Sequence, residues 1–168
     1  MKTAIAGLVL WLMAPIASAQ GPIALIGKPM IPFKMVDTKG KTHTNASLKG
    51  KVVLLDFWAS WCSPCLAASP TMQKLHTTYG KKGLTVIGVN MGERGSAIKT
   101  SPIEYPKKYG YTYTFTGNND AFARKVGVNS IPLFIILDKK GIVRKVQQGW
   151  APSVATEFDA LIKQLLKG

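Results

Sequence analysis

The chain has 168 residues, enough for one domain with a properly buried core. With 46% apolar and 18% charged residues it is not a disordered chain, and with 2 cysteines it is not a disulfide-stapled scaffold. The net charge of +14 invites a nucleic-acid reading, but the lysines fall as scattered pairs (Lys81-Lys82, Lys107-Lys108, Lys139-Lys140) at turns and helix ends, so no nucleic-acid partner is expected.

The first 19 residues have the layout of an export signal. Lys2 gives a positive start, Ala4 to Met13 is apolar, Pro15 breaks the run, and Ala17-Ser18-Ala19 supplies the small residues a signal peptidase reads. The apolar part is about half of the roughly 20 residues a membrane-spanning helix needs. Residues 1–19 are therefore read as a cleaved signal and 20–168 as a single periplasmic domain, with an uncleaved anchor facing the periplasm as the alternative.

In the domain, Phe33–Val36 and Lys41–Thr44 flank Asp37-Thr38-Lys39-Gly40, a hairpin pattern with glycine at the turn. Val52–Trp58 is an apolar run broken only by Asp56, as expected of a central strand buried on both faces. Cys62–Tyr79 has helical spacing and ends at Gly80 and Gly83; Leu84–Asn90 is a second buried strand. Glu93–Lys108 reads as a helical insertion, Tyr111–Phe115 as a short strand, and Asp120–Val126 as a short helix stopped by Gly127. Leu133–Leu137 and Ile142–Gln147 form a second hairpin around Asp138-Lys139-Lys140-Gly141. Ser153–Leu166 closes the chain as an amphipathic helix with Phe158, Leu161, Ile162 and Leu165 inward. This order predicts an α/β domain with a mixed central sheet.

Two cysteines cannot make a structural zinc site, so Cys62 and Cys65 call for a chemistry of their own. A thiol attacks only as its thiolate. Cys62 lies where a strand gives way to a helix, so free backbone N–H groups and the helix dipole face its sulfur. Cys65 is one turn on, close enough to donate a hydrogen bond and to close a disulfide. Pro64 sits in the first turn, where a missing N–H costs nothing. Cys62 is thus the expected attacker and Cys65 the resolving thiol.

The segment Leu54 to Cys65, Leu-Leu-Asp-Phe-Trp-Ala-Ser-Trp-Cys-Ser-Pro-Cys, closely resembles the active-site strand and loop of thioredoxins. Leu48-Lys49-Gly50-Lys51, the hairpin before it, and Gly88-Val89-Asn90 resemble the TlpA/ResA-like branch, exported thioredoxins that often reduce disulfides in cytochrome c maturation. The likeness covers Ile31 to the C-terminus, is weakest between Glu93 and Gly117, and implies the thioredoxin fold. Pro70 matches the proline that kinks the active-site helix. Ile131-Pro132 resembles the cis-proline loop that faces the disulfide and binds the substrate chain, although Leu133 stands where threonine is common. Trp61, Ser63 and Pro64 complete the implied substrate surface.

A carboxyl in a buried strand is neutral, paired or useful. By resemblance Asp56 matches the buried acid that relays a proton to or from the resolving cysteine; pairing with a lysine such as Lys51 is the structural alternative. The family often has an acid three residues after the second cysteine, where this chain has Ala68, so Asp56 is the one acid expected near the thiols. His43 and His76 lack ligand spacing and are read as surface residues, and Met35, Met72 and Met91 as packing. The reading is a monomeric thiol–disulfide oxidoreductase with no cofactor beyond the Cys62–Cys65 disulfide and no metal. Its partners would be protein thiols and disulfides, with a membrane thiol reductase as electron donor. A disulfide-inserting oxidase and a copper-handling assembly factor using the same thiols are the rivals.

Overall fold

The computed structural model describes residues 21–93 and 102–168. The expected export signal lies outside them, as does the middle of the expected insertion. A two-stranded ladder, β1 (Lys34–Val36) and β2 (Thr42–Thr44), precedes the main sheet. That sheet contains β3 (Val52–Trp58), β4 (Leu84–Asn90), β5 (Thr114–Thr116), β6 (Leu133–Leu137) and β7 (Val143–Gln148). The helices are α1 (Ser63–Tyr79), α2 (Glu104–Tyr109), α3 (Asp120–Val126) and α4 (Pro152–Lys167).

The spatial order is β5-β4-β3-β6-β7, with β3, β4 and β5 parallel, β6 antiparallel to β3, and β7 antiparallel to β6. Every residue of β3 is buried, as its apolar run requires at the centre of a covered sheet. Strand alternation then divides the core in two. Val52, Leu54 and Trp58 pack with Cys65, Met72 and Leu75 of α1 and with Phe158 and Ile162 of α4. Val53, Leu55 and Phe57 pack on the other face with Met35, Phe122 and Val126. Leu161 and Leu165 are only partly buried against the first of these cores.

Three expectations need correcting. The strand expected over Tyr111–Phe115 is Thr114–Thr116, because the rings of Tyr111 and Tyr113 stack in an aromatic column with Tyr105 and Phe115 and only Thr114 to Thr116 ladder with β4. The insertion does not begin as a helix at Glu93: Met91–Glu93 is irregular, and α2 spans only Glu104–Tyr109, with Pro106 in its first turn.

His43 is not on the surface. It faces Met35 across the ladder, is buried, and pairs through Nε2 with Asp37 Oδ2 at 2.8 Å. Asp37 also accepts the N–H groups of Lys39 and Lys41, so one carboxylate organises the turn. Burial alone would raise its pKa, but the His43 hydrogen bond and these N–H groups hold it below the usual carboxylate value.

Candidate active site

The site lies at the carboxyl ends of the parallel strands β3 and β4, where open α/β sheets place their reactive loops. After Trp58 the chain makes a short loop, and Cys62 caps α1. Cys62 and Cys65 are joined as a disulfide, with Cα atoms 5.3 Å apart. The Cys65 N–H donates to Cys62 Sγ at 3.3 Å, so a helix N-terminal donor points at that sulfur. Cys65 is wholly enclosed, whereas Cys62 retains 4% exposure and is flanked by the exposed Ser63 and Pro64.

Asp56 sits on the face of β3 that carries Leu54 and Trp58, beneath α1. Its cross-strand neighbours are Gly88 and Phe134. A Cβ on Gly88 would come within 3.1 Å of both Trp58 Nε1 and Phe115 Cδ1, so glycine is what lets these rings pack against β4 beside Asp56. Asp56 Oδ1 has no hydrogen-bond partner, and the ion pairs found among the described residues do not involve Asp56. Burial pushes its pKa up to about 8. The pairing with Lys51 is therefore not made, and the carboxyl is neutral over most of the ordinary pH range.

The Ile131-Pro132 bond is cis. Leu133 pairs with Phe57, so Pro132 falls level with Trp58, at the end of β3 from which the cysteine loop leaves. Ile131 packs against the core that contains both cysteines. Trp61 is 40% exposed and donates from Nε1 to Gly92 O at 2.8 Å, which fixes the indole beside the loop. Trp58, by contrast, is a core residue.

Asp56 is not the only acid near the thiols. Glu93 accepts from Ser60 N at 2.7 Å, from Ser60 Oγ at 2.7 Å and from Asn90 Nδ2 at 2.6 Å, two residues before Cys62 in the chain. The signal for it was its place just past the carboxyl end of β4, where chain returning over the sheet meets the cysteine loop. Ala68 is buried in the core below the disulfide. Among the described residues no three His, Cys, Asp or Glu side chains converge as a metal site, and Met35 and Met72 are buried on opposite faces of the sheet.

A mixed five-stranded sheet with a Cys-Ser-Pro-Cys disulfide capping its first long helix defines a thioredoxin-like redox protein. Residues 25–162 match the Redoxin family model, and the chain belongs to that family. It is 30% identical over 125 residues to the thiol-disulfide oxidoreductase ResA of Geobacillus thermodenitrificans (strain NG80-2), covering 74% of this chain and 70% of that one. It is 29% identical over 153 residues to the thiol:disulfide interchange protein DsbE of Pseudomonas fluorescens biotype C, covering 87% and 83%. Among solved structures, a thioredoxin-family thiol:disulfide interchange protein from Chlorobium tepidum TLS superposes with a TM-score of 0.69 at 28% identity, covering 82% of this chain and 95% of that one. The chain is a thiol–disulfide oxidoreductase of the ResA/DsbE type.

Proposed function

We propose that this protein reduces disulfides in exported proteins, in cytochrome c maturation or a related assembly process, with Cys62 attacking and Cys65 resolving. The observation that carries the assignment of roles is the Cys65 N–H aimed at Cys62 Sγ at the start of α1, with Cys65 itself enclosed. In the reduced protein the Cys62 thiolate attacks a substrate disulfide. One substrate sulfur leaves and takes a proton, and a mixed disulfide remains. Cys65 then passes its proton to Asp56 in its ionised form, whose share grows as pH approaches about 8, and its thiolate attacks Cys62 Sγ. The second substrate sulfur leaves, and the protein ends as the disulfide seen here, having given up two electrons.

Trp61, Ser63, Pro64, Ile131 and Pro132 form the rim against which the substrate chain lies. Because each turnover leaves the protein oxidised, a reductant must re-reduce it, and a membrane thiol reductase is the donor this reading requires. Residues 1–19 act as the signal that takes the chain to that compartment.

The test is trapping. Cys65→Ala should accumulate mixed disulfides through Cys62, and Cys62→Ala should trap few and lose nearly all insulin-type reductase activity. Retention of most activity by Cys62→Ala would show that the roles are reversed.

A further inference from the structure

The lysine pairs Lys81-Lys82 and Lys139-Lys140 lie far apart in the chain but meet at one end of the fold. β3 runs from Val52 toward the cysteine loop, and Val52 is level with Leu84, the first residue of β4. β6 runs the other way, so Leu137 at its close stands beside Val53. The turns before β3 and β4 and the turn after β6 therefore share the end of the sheet opposite the disulfide, roughly 20 Å away along β3. A closed ring of contacts ties them together with the end of α4. Gly50 N–H donates to Lys139 O at 2.9 Å, and Lys139 Nζ donates to Leu166 O at 2.9 Å. A Cβ on Gly83 would lie 3.5 Å from Leu166 Cδ2, and Val52 N–H donates to Gly83 O at 3.0 Å.

This end is basic. The turn before β3 brings Lys49 and Lys51, the turn before β4 Lys81 and Lys82, the turn after β6 Lys139 and Lys140, and the end of α4 Lys167. All are exposed except Lys139, which is half-buried. The acid on these segments, Asp138, is occupied: it accepts from Arg144 at 2.7 Å and from the N–H groups of Lys140 and Ile142. The ion pairs among the described residues leave these lysines out. Glu93 and Asp120, by contrast, stand at the cysteine end. The molecule thus carries a redox end and a cationic end at opposite edges of one sheet.

We propose that the cationic end docks the protein on an anionic lipid surface, with the disulfide facing away from the lipid. Like charges gathered at one end repel one another, a cost that a layer of negative headgroups relieves. Composition separates a lipid from a protein partner. Protein interfaces are poor in lysine and anchored by aromatic and large apolar side chains. The exposed large apolar residues among those described, Ile23, Ile26, Val36, Trp61, Ile103 and Tyr109, all lie outside these segments. Lysine is a compact charge on a flexible stem and suits a diffuse field of headgroups, whereas arginine forks onto one chosen carboxylate or phosphate. With no large apolar side chain to insert, attachment is electrostatic, reversible and screened by salt. Docked this way, the protein stays beside the membrane while Cys62 faces the surrounding water, whichever way its electrons flow.

Oxidised protein recovered from the periplasm should sediment with phosphatidylcholine vesicles containing about 30% phosphatidylglycerol, and not with phosphatidylcholine alone. Raising the salt from about 0.05 M to about 0.5 M should release it. Lys49→Gln, Lys81→Gln, Lys140→Gln and Lys167→Gln, one change on each segment, should together weaken binding about a hundredfold, a fewfold for each charge lost. Lys107→Gln, Lys108→Gln, Arg124→Gln and Lys125→Gln, all at exposed positions on α2 and α3, remove the same charge and should together weaken it by less than about fivefold. Reduction of the disulfide by a water-soluble thiol should run at the same rate on vesicles as in solution. Equal losses in the two variants would overturn the proposal, because net charge and not this end would then govern binding. Equal sedimentation with neutral vesicles would overturn it too, as would slower disulfide reduction on the lipid, which would set the cysteine end against it. Binding to a soluble polyglutamate chain without binding to anionic vesicles would overturn it in favour of an acidic protein partner.

Discussion

Asp56 is held where its charged form is expensive. Its pKa is about 8 in the folded protein against 3.8 for an ordinary aspartate, and burial is the cause. Between those values the folded state binds a proton that the unfolded chain does not. The linkage sign follows: Asp56 takes nothing from stability below pH 4, and its penalty grows as pH rises from about 4 to about 8. Urea unfolding of the oxidised protein should therefore show stability falling across that window. Asp56→Asn should flatten the fall and be the more stable protein at pH 8.5. Parallel wild-type and variant curves would mean that Asp56 is not buried as a neutral acid. The same carboxyl, with a pKa close to neutrality, suits the acceptor role proposed for it.

At the scale of elements, the cysteine loop is held from outside its own βα unit. Glu93 binds Ser60 through both the backbone N–H and the hydroxyl, and Gly92 anchors Trp61 through its carbonyl and Asp120 through its N–H. The end of β4 thus ties the loop before α1 to the start of α3. Glu93→Ala removes three acceptor contacts and leaves the Ser60 and Asn90 donors unpartnered, which should cost about 1–3 kcal/mol. Because the loop positions Cys62, the variant should also react more slowly with a substrate disulfide while keeping its fold by circular dichroism. Unchanged stability and unchanged attack rate would show the clamp to be idle.

For the whole molecule, the question is direction. An oxidising compartment makes a reductant dependent on a donor, and the poise of the pair follows from how well the thiolate is stabilised. One helix N–H reaches Cys62 Sγ, and the ion pairs among the described residues do not involve the cysteine loop. Mature protein recovered from the periplasm should begin at Gln20 by intact mass and show a potential near that of thioredoxin, roughly −270 mV. A value near roughly −120 mV would make it an oxidant, and Met1 still attached would make the N-terminus an anchor.

Much of this molecule was readable along the chain because its decisive features are local. The run Val52–Trp58 announced a central strand, and a cysteine at a strand-to-helix junction with another one turn later announced the disulfide. The Ile131-Pro132 loop was legible only through family likeness, since no local rule makes that bond cis. What stayed hidden depends on which side chains the folded chain brings together. His43 alternates inward because β1 and β2 close over Met35, and only the closed ladder brings Asp37 to it. Glu93 reaches Ser60 across 33 residues, and Tyr105 reaches Ser69 across 36. A carboxylate or a hydroxyl carries no mark in sequence of the partner it will find; that is decided when the sheet brings the ends of β3 and β4 together beneath α1.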